Sequence, residues 1–476
     1  MKHAGCKPLI RILEAIICAT LLSAGGCSLL NKGVVINFAQ DDAAISVATA
    51  DEATSNPDKK KGSTPPPVAG DVIFAGGASG TKSSPKAEFY TPSTKKWSST
   101  GSLTTDRIVG CGVVLLDGTF IDAGGAAATA KTKKELVVTV TPHSSVDAYN
   151  LGAGTFSSAG TMTTPRAGCT ATLLDDGTVL IAGGLDSSGS PLTSAEIYDP
   201  SGGTFTATTG DMNSPRAYHT ATLLTTGSLA GDVLVAGGIS NTSYGSTNEG
   251  ATLDTADIYD PSSKTFTPTL NTMTDFRAYH SATALPDGTV LLTGGDNEGN
   301  SGNVFGATAS AEIFDPTTDE FSAVGPLAEP LMMQSATLLP NNTVLIAGGF
   351  DADQAVFFSN GGLGAFFGTT AQGAEIYTPG TQTFACIGGT MSVKTTEQTV
   401  CATRMKSAHA GHAAVLLGDG TVLIAGGFGG SKDTTDIKGT NKVAEIYDPT
   451  AQTFTKVGSM PTGLALGVAV LLEGTN

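Results

Sequence analysis

The residues best equipped for chemistry recur at one offset. Seven segments of this chain end an apolar run just before a turn. Counting back five places from the last apolar residue gives Gly467, Cys111, Cys169, His219, His280, Gln334 and His412. Imidazole and thiolate are common ligands of zinc and copper, so three histidines and two cysteines at one level invite a metal reading. Arg166, Arg216 and Arg277 stand three residues before Cys169, His219 and His280, and Tyr218 and Tyr279 directly precede two of the histidines. Together these form a candidate binding set. No Ser-His-Asp or paired-carboxylate motif can be singled out, so no catalytic residue is assigned.

The elements that must position this set are written in the repeats. "DGTVLIAGG" occurs twice, from Asp176 to Gly184 and from Asp419 to Gly427. Relatives of it bring the double glycine to seven copies, with second glycines at Gly77, Gly125, Gly184, Gly238, Gly295, Gly349 and Gly427. The spacing is 48 to 59 residues, with 78 for the last interval. A strand such as "RAYHTATLL" precedes each typical copy, and "AEIYDP" or a relative comes after it, past a variable loop. Each unit therefore reads as four short strands rich in Val, Ile, Thr, Tyr and Phe. "DG" makes the first hairpin and "DP" opens the last turn. No helical pattern comes after the glycines, which excludes a phosphate loop.

Four strands, a period near 50 residues and a double glycine resemble the kelch repeat. The resemblance covers residues 70 to the end and implies an all-β, seven-bladed β-propeller of four-stranded blades, with the first strand of each blade innermost. On that expectation the candidate set rings one height of the central channel, with the arginines towards its mouth. "R-x-x-H" opens many kelch repeats in which no metal is known, so the histidines are expected to be structural and no metal or cofactor is assigned. Tyr90, Tyr149, Tyr198, Tyr259, Phe314, Tyr377 and Tyr447 share one position of the third strand and are expected between blades.

The first unit begins at its second strand, "DVIFAGG", and the chain closes on "PTGLALGVAVLLEGTN". Residues 463 to 472 are therefore expected to complete blade one beside residues 71 to 77, leaving no open sheet edge. The second-to-third and fourth-to-first connections share one face and are the long ones, so that face is elaborated for binding. In blade six, Phe357, Phe358, Phe366 and Phe367 form a candidate apolar contact patch. Cys386 and Cys401 bracket a long insertion and are expected to form a disulfide. Cys111 and Cys169 are expected to remain thiols, because equivalent positions on adjacent blades lie too far apart for a bond that needs Cα atoms within roughly 7 Å.

"YHSATALPDGTVLLTGG" from Tyr279 resembles an inner strand of galactose oxidase, a copper enzyme with a kelch-type propeller. That resemblance implies a Tyr-His pair at Tyr279 and His280. The family's further histidine comes from a β-sandwich domain after the propeller, which this sequence lacks. Cys169 sits a residue out of step with its cross-linked cysteine. A copper-radical oxidase is therefore kept as the alternative reading.

The ends and the composition set the surroundings. Lys2, Lys7 and Arg11 precede an apolar run from Ala15 to Leu22 and then "LLSAGGC", the layout of a secretory signal. The run is shorter than the about 20 residues needed to span a bilayer. The box resembles that of a bacterial lipoprotein, implying residues 1–26 as signal peptide and lipidation at Cys27. Residues 27–69, with "DEATSNPDKKKGSTPPP", read as a disordered tether, and 70–476 as the propeller. A net charge of −17 with 14 % charged residues disfavours nucleic acid. The expectation is a monomer, lipid-anchored in the bacterial envelope at the outer membrane or cell surface, that binds a protein or carbohydrate through its looped face.

Overall fold

The structure, a computed structural model, describes residues 66–79, 82–130, 138–240, 252–297, 306–351, 369–392, 399–429 and 440–472. The second strand of each unit is buried at every position, and it is apolar as in Val179–Leu185 and Val422–Ala425 apart from Asp122 in blade two and Thr293 in blade five. Such a strand needs a sheet covered on both faces. It receives a first and a third strand at its edges and packs against the next unit on each side.

Seven four-stranded antiparallel sheets result. Their innermost strands are Val468–Leu471 in blade one, Cys111–Val114, Ala167–Leu173, Thr220–Leu223, Ser281–Ala284, Ser335–Leu338 and Ala413–Leu416 in blade seven. Each packs beside the next, and Val468–Leu471 packs beside both Ala413–Leu416 and Cys111–Val114, so the blades close into a ring. Blade one takes Val468–Leu471 from the far end of the sequence. Val72 pairs with Leu471 and Ala75 with Val468, as expected for a seam closed by strand pairing.

The turns obey their sequences. The Asp176 carboxylate accepts the Thr178 N–H at 2.9 Å in the first hairpin of blade three, and Asp199 accepts the Ser201 N–H at 2.8 Å in its last. Blade four departs from this pattern, with a short 3-10 turn at Gly227–Leu229. The double glycine is required by both conformation and space. Gly183 and Gly184 have φ of 60° and 92°, and a Cβ on Gly184 would lie 3.0 Å from the Ala167 carbonyl.

Seven apolar clusters lie between consecutive blades. Each holds one of Tyr90, Tyr149, Tyr198, Tyr259, Phe314, Tyr377 and Tyr447, so these rings pack between blades as the sequence indicated. Each also packs on its cross-strand aromatic neighbour, as Tyr198 does on Phe205 at 4.8 Å. An eighth cluster lies on the axis and includes Val109, Tyr218, Tyr279, Met333 and Leu466.

Candidate functional site

The arginines do not face a ligand. Arg166, Arg216 and Arg277 are fully buried. Arg277 Nη1 donates to the Gly294 carbonyl at 2.9 Å, and its Nη2 meets the Glu312 carboxylate at 2.5 Å. Arg216 pairs with Asp257 at 2.7 Å and Arg166 with Glu196 at 3.1 Å. Arg107, a fourth member that sequence reasoning passed over, pairs with Asp147 at 2.9 Å. In every blade the acid stands two residues before the interblade aromatic of the third strand. In blade seven His409 takes the arginine's place, 3.4 Å from Glu445. The expectation of a cationic channel mouth is corrected: each guanidinium ties the entry of an innermost strand to its own blade's glycine exit.

The histidines, too, lie between blades rather than across a channel. The His219 Nε2 lies 3.1 Å from the Thr170 hydroxyl of the preceding blade. His280 meets Thr220 at 2.9 Å, His412 meets Ser335 at 2.9 Å, and Gln334 donates to Ser281 at 3.3 Å. Burial holds His219 and His412 neutral, with pKa values pushed down to about 3, and holds His280 well below its ordinary value. Each side chain is thus one half of a clasp joining two neighbouring blades.

That pattern corrects the expectation for the inner cysteines. Cys111 pairs with Ala123 as Thr170 pairs with Ala182 and Thr220 with Ala236. Cys111 is therefore the equivalent of the threonines, and Gly110 is the equivalent of Cys169 and His219. A clasp joins one position to the next position of the following blade, not to its equal. Across that diagonal the Cα atoms of Cys111 and Cys169 are 5.8 Å apart and the sulfurs form a disulfide. The boundaries on either side of blade one have no polar clasp of this kind: the equivalent positions hold Ala413 and Gly467 at one and Val468 and Gly110 at the other, none with a polar side chain.

One residue before each clasp position the backbone turns left-handed. Val109, Gly168, Tyr218, Tyr279, Met333, Gly411 and Leu466 have φ between 55° and 83°. Each donates its N–H to the carbonyl of the same residue in the preceding blade, at 3.0 to 3.5 Å, and Val109 returns the series to Leu466. The seven bonds form a closed collar. Inside it the Tyr218 and Tyr279 rings stack at 4.6 Å beside Val109, Met333 and Leu466, all buried. These two tyrosines, expected at a channel mouth, instead help to plug the axis at the face where the innermost strands begin.

That face also carries two-stranded hairpins from the long connections: Ala78–Ser79 with Lys82–Ser83, Ala126–Ala130 with Val138–Pro142, and Phe350–Asp351 with Thr369–Thr370. Thr390–Ser392 pairs with Thr399–Cys401, and the Cys386–Cys401 disulfide pins this hairpin as expected. Phe357, Phe358, Phe366, Phe367 and Cys27 lie outside the described residues.

Residues 165–209 match the Kelch motif family and contain the four strands of blade three. The other six blades repeat that unit. The fold is a kelch-repeat β-propeller. No curated protein matches the chain in sequence. A solved structure described as "Structure of YjhT" is similar to this kelch propeller, with 12 % identity and a TM-score of 0.48, covering 74 % of this chain and 98 % of that one.

The donor set of this kelch propeller does not fit a galactose-oxidase copper site. His219 and His280 direct Nε2 to hydroxyls at two different blade boundaries. Cys169, the other sulfur or nitrogen donor nearest in position, is bonded to Cys111. Among the described residues no three His, Cys, Asp or Glu side chains stand together as metal ligands.

Two acids break the repeat and were not singled out from the sequence. Asp296 comes directly after the double glycine of blade five, where the other blades carry Ala78, Ala126, Leu185, Ile239, Phe350 and Phe428; it accepts the Gly306 N–H at 3.1 Å. Asp122 occupies the second strand of blade two, where the others carry Phe74, Ile181, Val235, Leu292, Ile346 and Ile424. In each case the readable signal is a carboxylate in an apolar column.

Proposed function

We propose that this kelch propeller is a binding module that takes a protein or glycan ligand on the rim of its loop-bearing face. The observation that carries the reading is the plugged axis. Collar, tyrosine stack and apolar side chains fill the centre of that face, while the arginines and histidines are committed to partners within the fold. A ligand approaching there meets a closed centre ringed by connections that differ in length and sequence from blade to blade. The envelope setting belongs to the same proposal: Cys27 carries the lipid, residues 28–69 act as the spacer, and the propeller is a tethered monomer displaying its looped face.

The test immobilises the propeller and probes it with a glycan array and with envelope proteins. It then replaces residues 352–368 and 430–439, separately, by Gly-Ser linkers. Loss of a bound ligand with unchanged melting supports rim recognition. Full binding by both loop-replaced variants overturns it.

A further inference from the structure

We propose that Asp122 ties closure of the ring to protonation: blade one seats against blade two while the Asp122 carboxyl is neutral, and loosens when it ionises.

The geometry begins with the alternation of the second strand of blade two. Phe120 and Asp122 point to one side, and Phe120 packs in the cluster shared with Ile73, Ala75, Val468 and Val470 of blade one. Ile121 and Ala123 point the other way, into the cluster shared with blade three. Asp122 therefore faces blade one. It lies across from Gly112 in the strand pairing, and a Cβ on Gly110 would fall on its carboxylate. The two glycines leave the space that the Asp122 side chain takes. A Cβ on Gly112 would in turn meet Val468 of the closing strand. Asp122 is buried, and its Oδ1 has no hydrogen-bond partner.

The charged neighbours do not satisfy it. Among the described residues Arg107 is the only cation facing the carboxylate, and its Nε stays 4.0 Å from Oδ2. Its Nη2 is committed to Asp147, which also accepts the Thr104 N–H at 3.1 Å. Asp147 lies directly across from Asp122 on the third strand and repels it. His143, on the connection before that strand, is held towards its neutral form by burial and by Arg107. Cys111 on the first strand is bonded to Cys169, and blade one presents Val468. Two carboxyl groups thus share one guanidinium, and burial, with Asp147 adding to it, pushes Asp122 up to about 7.

The location gives the charge its consequence. Blade one is joined across strands from opposite ends of the sequence, and at neither of its boundaries do the innermost strands share the polar clasp found between other blades. When blade one moves away, the carboxyl regains water and an ordinary acidity. The closed form therefore holds a proton that the open form releases, and opening becomes easier as pH rises through the closed-state value.

Native-state amide hydrogen exchange of the full chain tests this. Opening constants for Val72–Ala75 and Val468–Leu471 are compared with those of Val290–Thr293 in blade five, at pH 5.5 and 8.5, after correction for intrinsic rates. The expected result is a loss of protection in blade one that exceeds the loss in blade five by about tenfold. Asp122→Asn and Asp122→Ile should abolish the difference, and His143→Asn should keep it. An unchanged ratio in the wild-type protein overturns the proposal without need of any variant. A difference that persists in Asp122→Asn, or vanishes in His143→Asn, also overturns it.

Discussion

The His219 imidazole lies 3.1 Å from the Thr170 hydroxyl, across the boundary between blades three and four. One boundary earlier the same diagonal is a covalent bond between Cys111 and Cys169. The two linkages occupy the same slot at successive boundaries.

Removal of the covalent version should be costly. The bridge closes a separation of 58 residues, and the chain-entropy estimate for such a loop is about 4 kcal/mol. A Cys111→Ala and Cys169→Ala double variant should lose about 2 to 4 kcal/mol in denaturant titration. Cys111→Thr with Cys169→His restores the hydrogen-bonded clasp and should recover about 1 kcal/mol of that loss. No recovery would mean that the slot is not interchangeable.

Arg277 is buried against Glu312 with carbonyl partners. Arg277→Ala leaves a buried carboxylate without its cation and should destabilise by about 3 to 5 kcal/mol. Adding Glu312→Gln should return part of that loss. A single variant within about 1 kcal/mol of wild type, measured the same way, would contradict the structural role assigned to the arginines.

Blade six has no arginine at this position. Leu331 stands in its place, and burial pushes Glu375 up to about 7 although the Ala328 N–H donates to it. The folded pKa exceeds the unfolded value of about 4.3, so the folded chain holds the extra proton. Its contribution is therefore largest below the unfolded pKa and is lost as pH rises towards about 7. The contribution of Glu375 itself should fall from pH 5 to pH 8, and wild type should lose roughly 1 to 2 kcal/mol more than Glu375→Gln over that range. Denaturant titration at the two pH values checks both.

The closing strand carries the fourth prediction. Without residues 461–476 the edge of Val72–Ala75 loses its partner strand. The truncated chain should lose its single cooperative melting transition. Unchanged calorimetric melting would show that the seam contributes little.

Architecture was readable because it repeats. An apolar strand, a glycine pair and, past a variable loop, a tyrosine state the blade seven times, with Phe314 taking the tyrosine's place once. The leftover strand at each end of the propeller states the closure. The contact residues were less readable because their meaning depends on which blade they meet. The register of Cys111 shows the difficulty. Counting from the last apolar residue places it with Cys169, because Leu116 extends the apolar run. Leu116 is 69 % exposed, whereas Leu115 at 7 % matches the buried Leu174, Leu224 and Leu285. Counting from the Asp-Gly turn gives Gly110 instead. The arginines had a legible cue as well. An acid stands two places before the aromatic of every third strand, in a column whose other members are buried, and it requires a donor inside the fold.

The collar around the axis has a further consequence. Each of its seven bonds points from one blade to the blade before it, so the series circulates and has neither a first nor a last member. A helix or an open sheet leaves groups at its ends or edges that something else must satisfy. This circle leaves none, but it fixes the arithmetic of the molecule. Loops can lengthen without altering it. Losing or duplicating one repeat would change the circumference, and all the remaining bonds would have to reset together. The fold is thereby permissive at the rim and quantised at the centre.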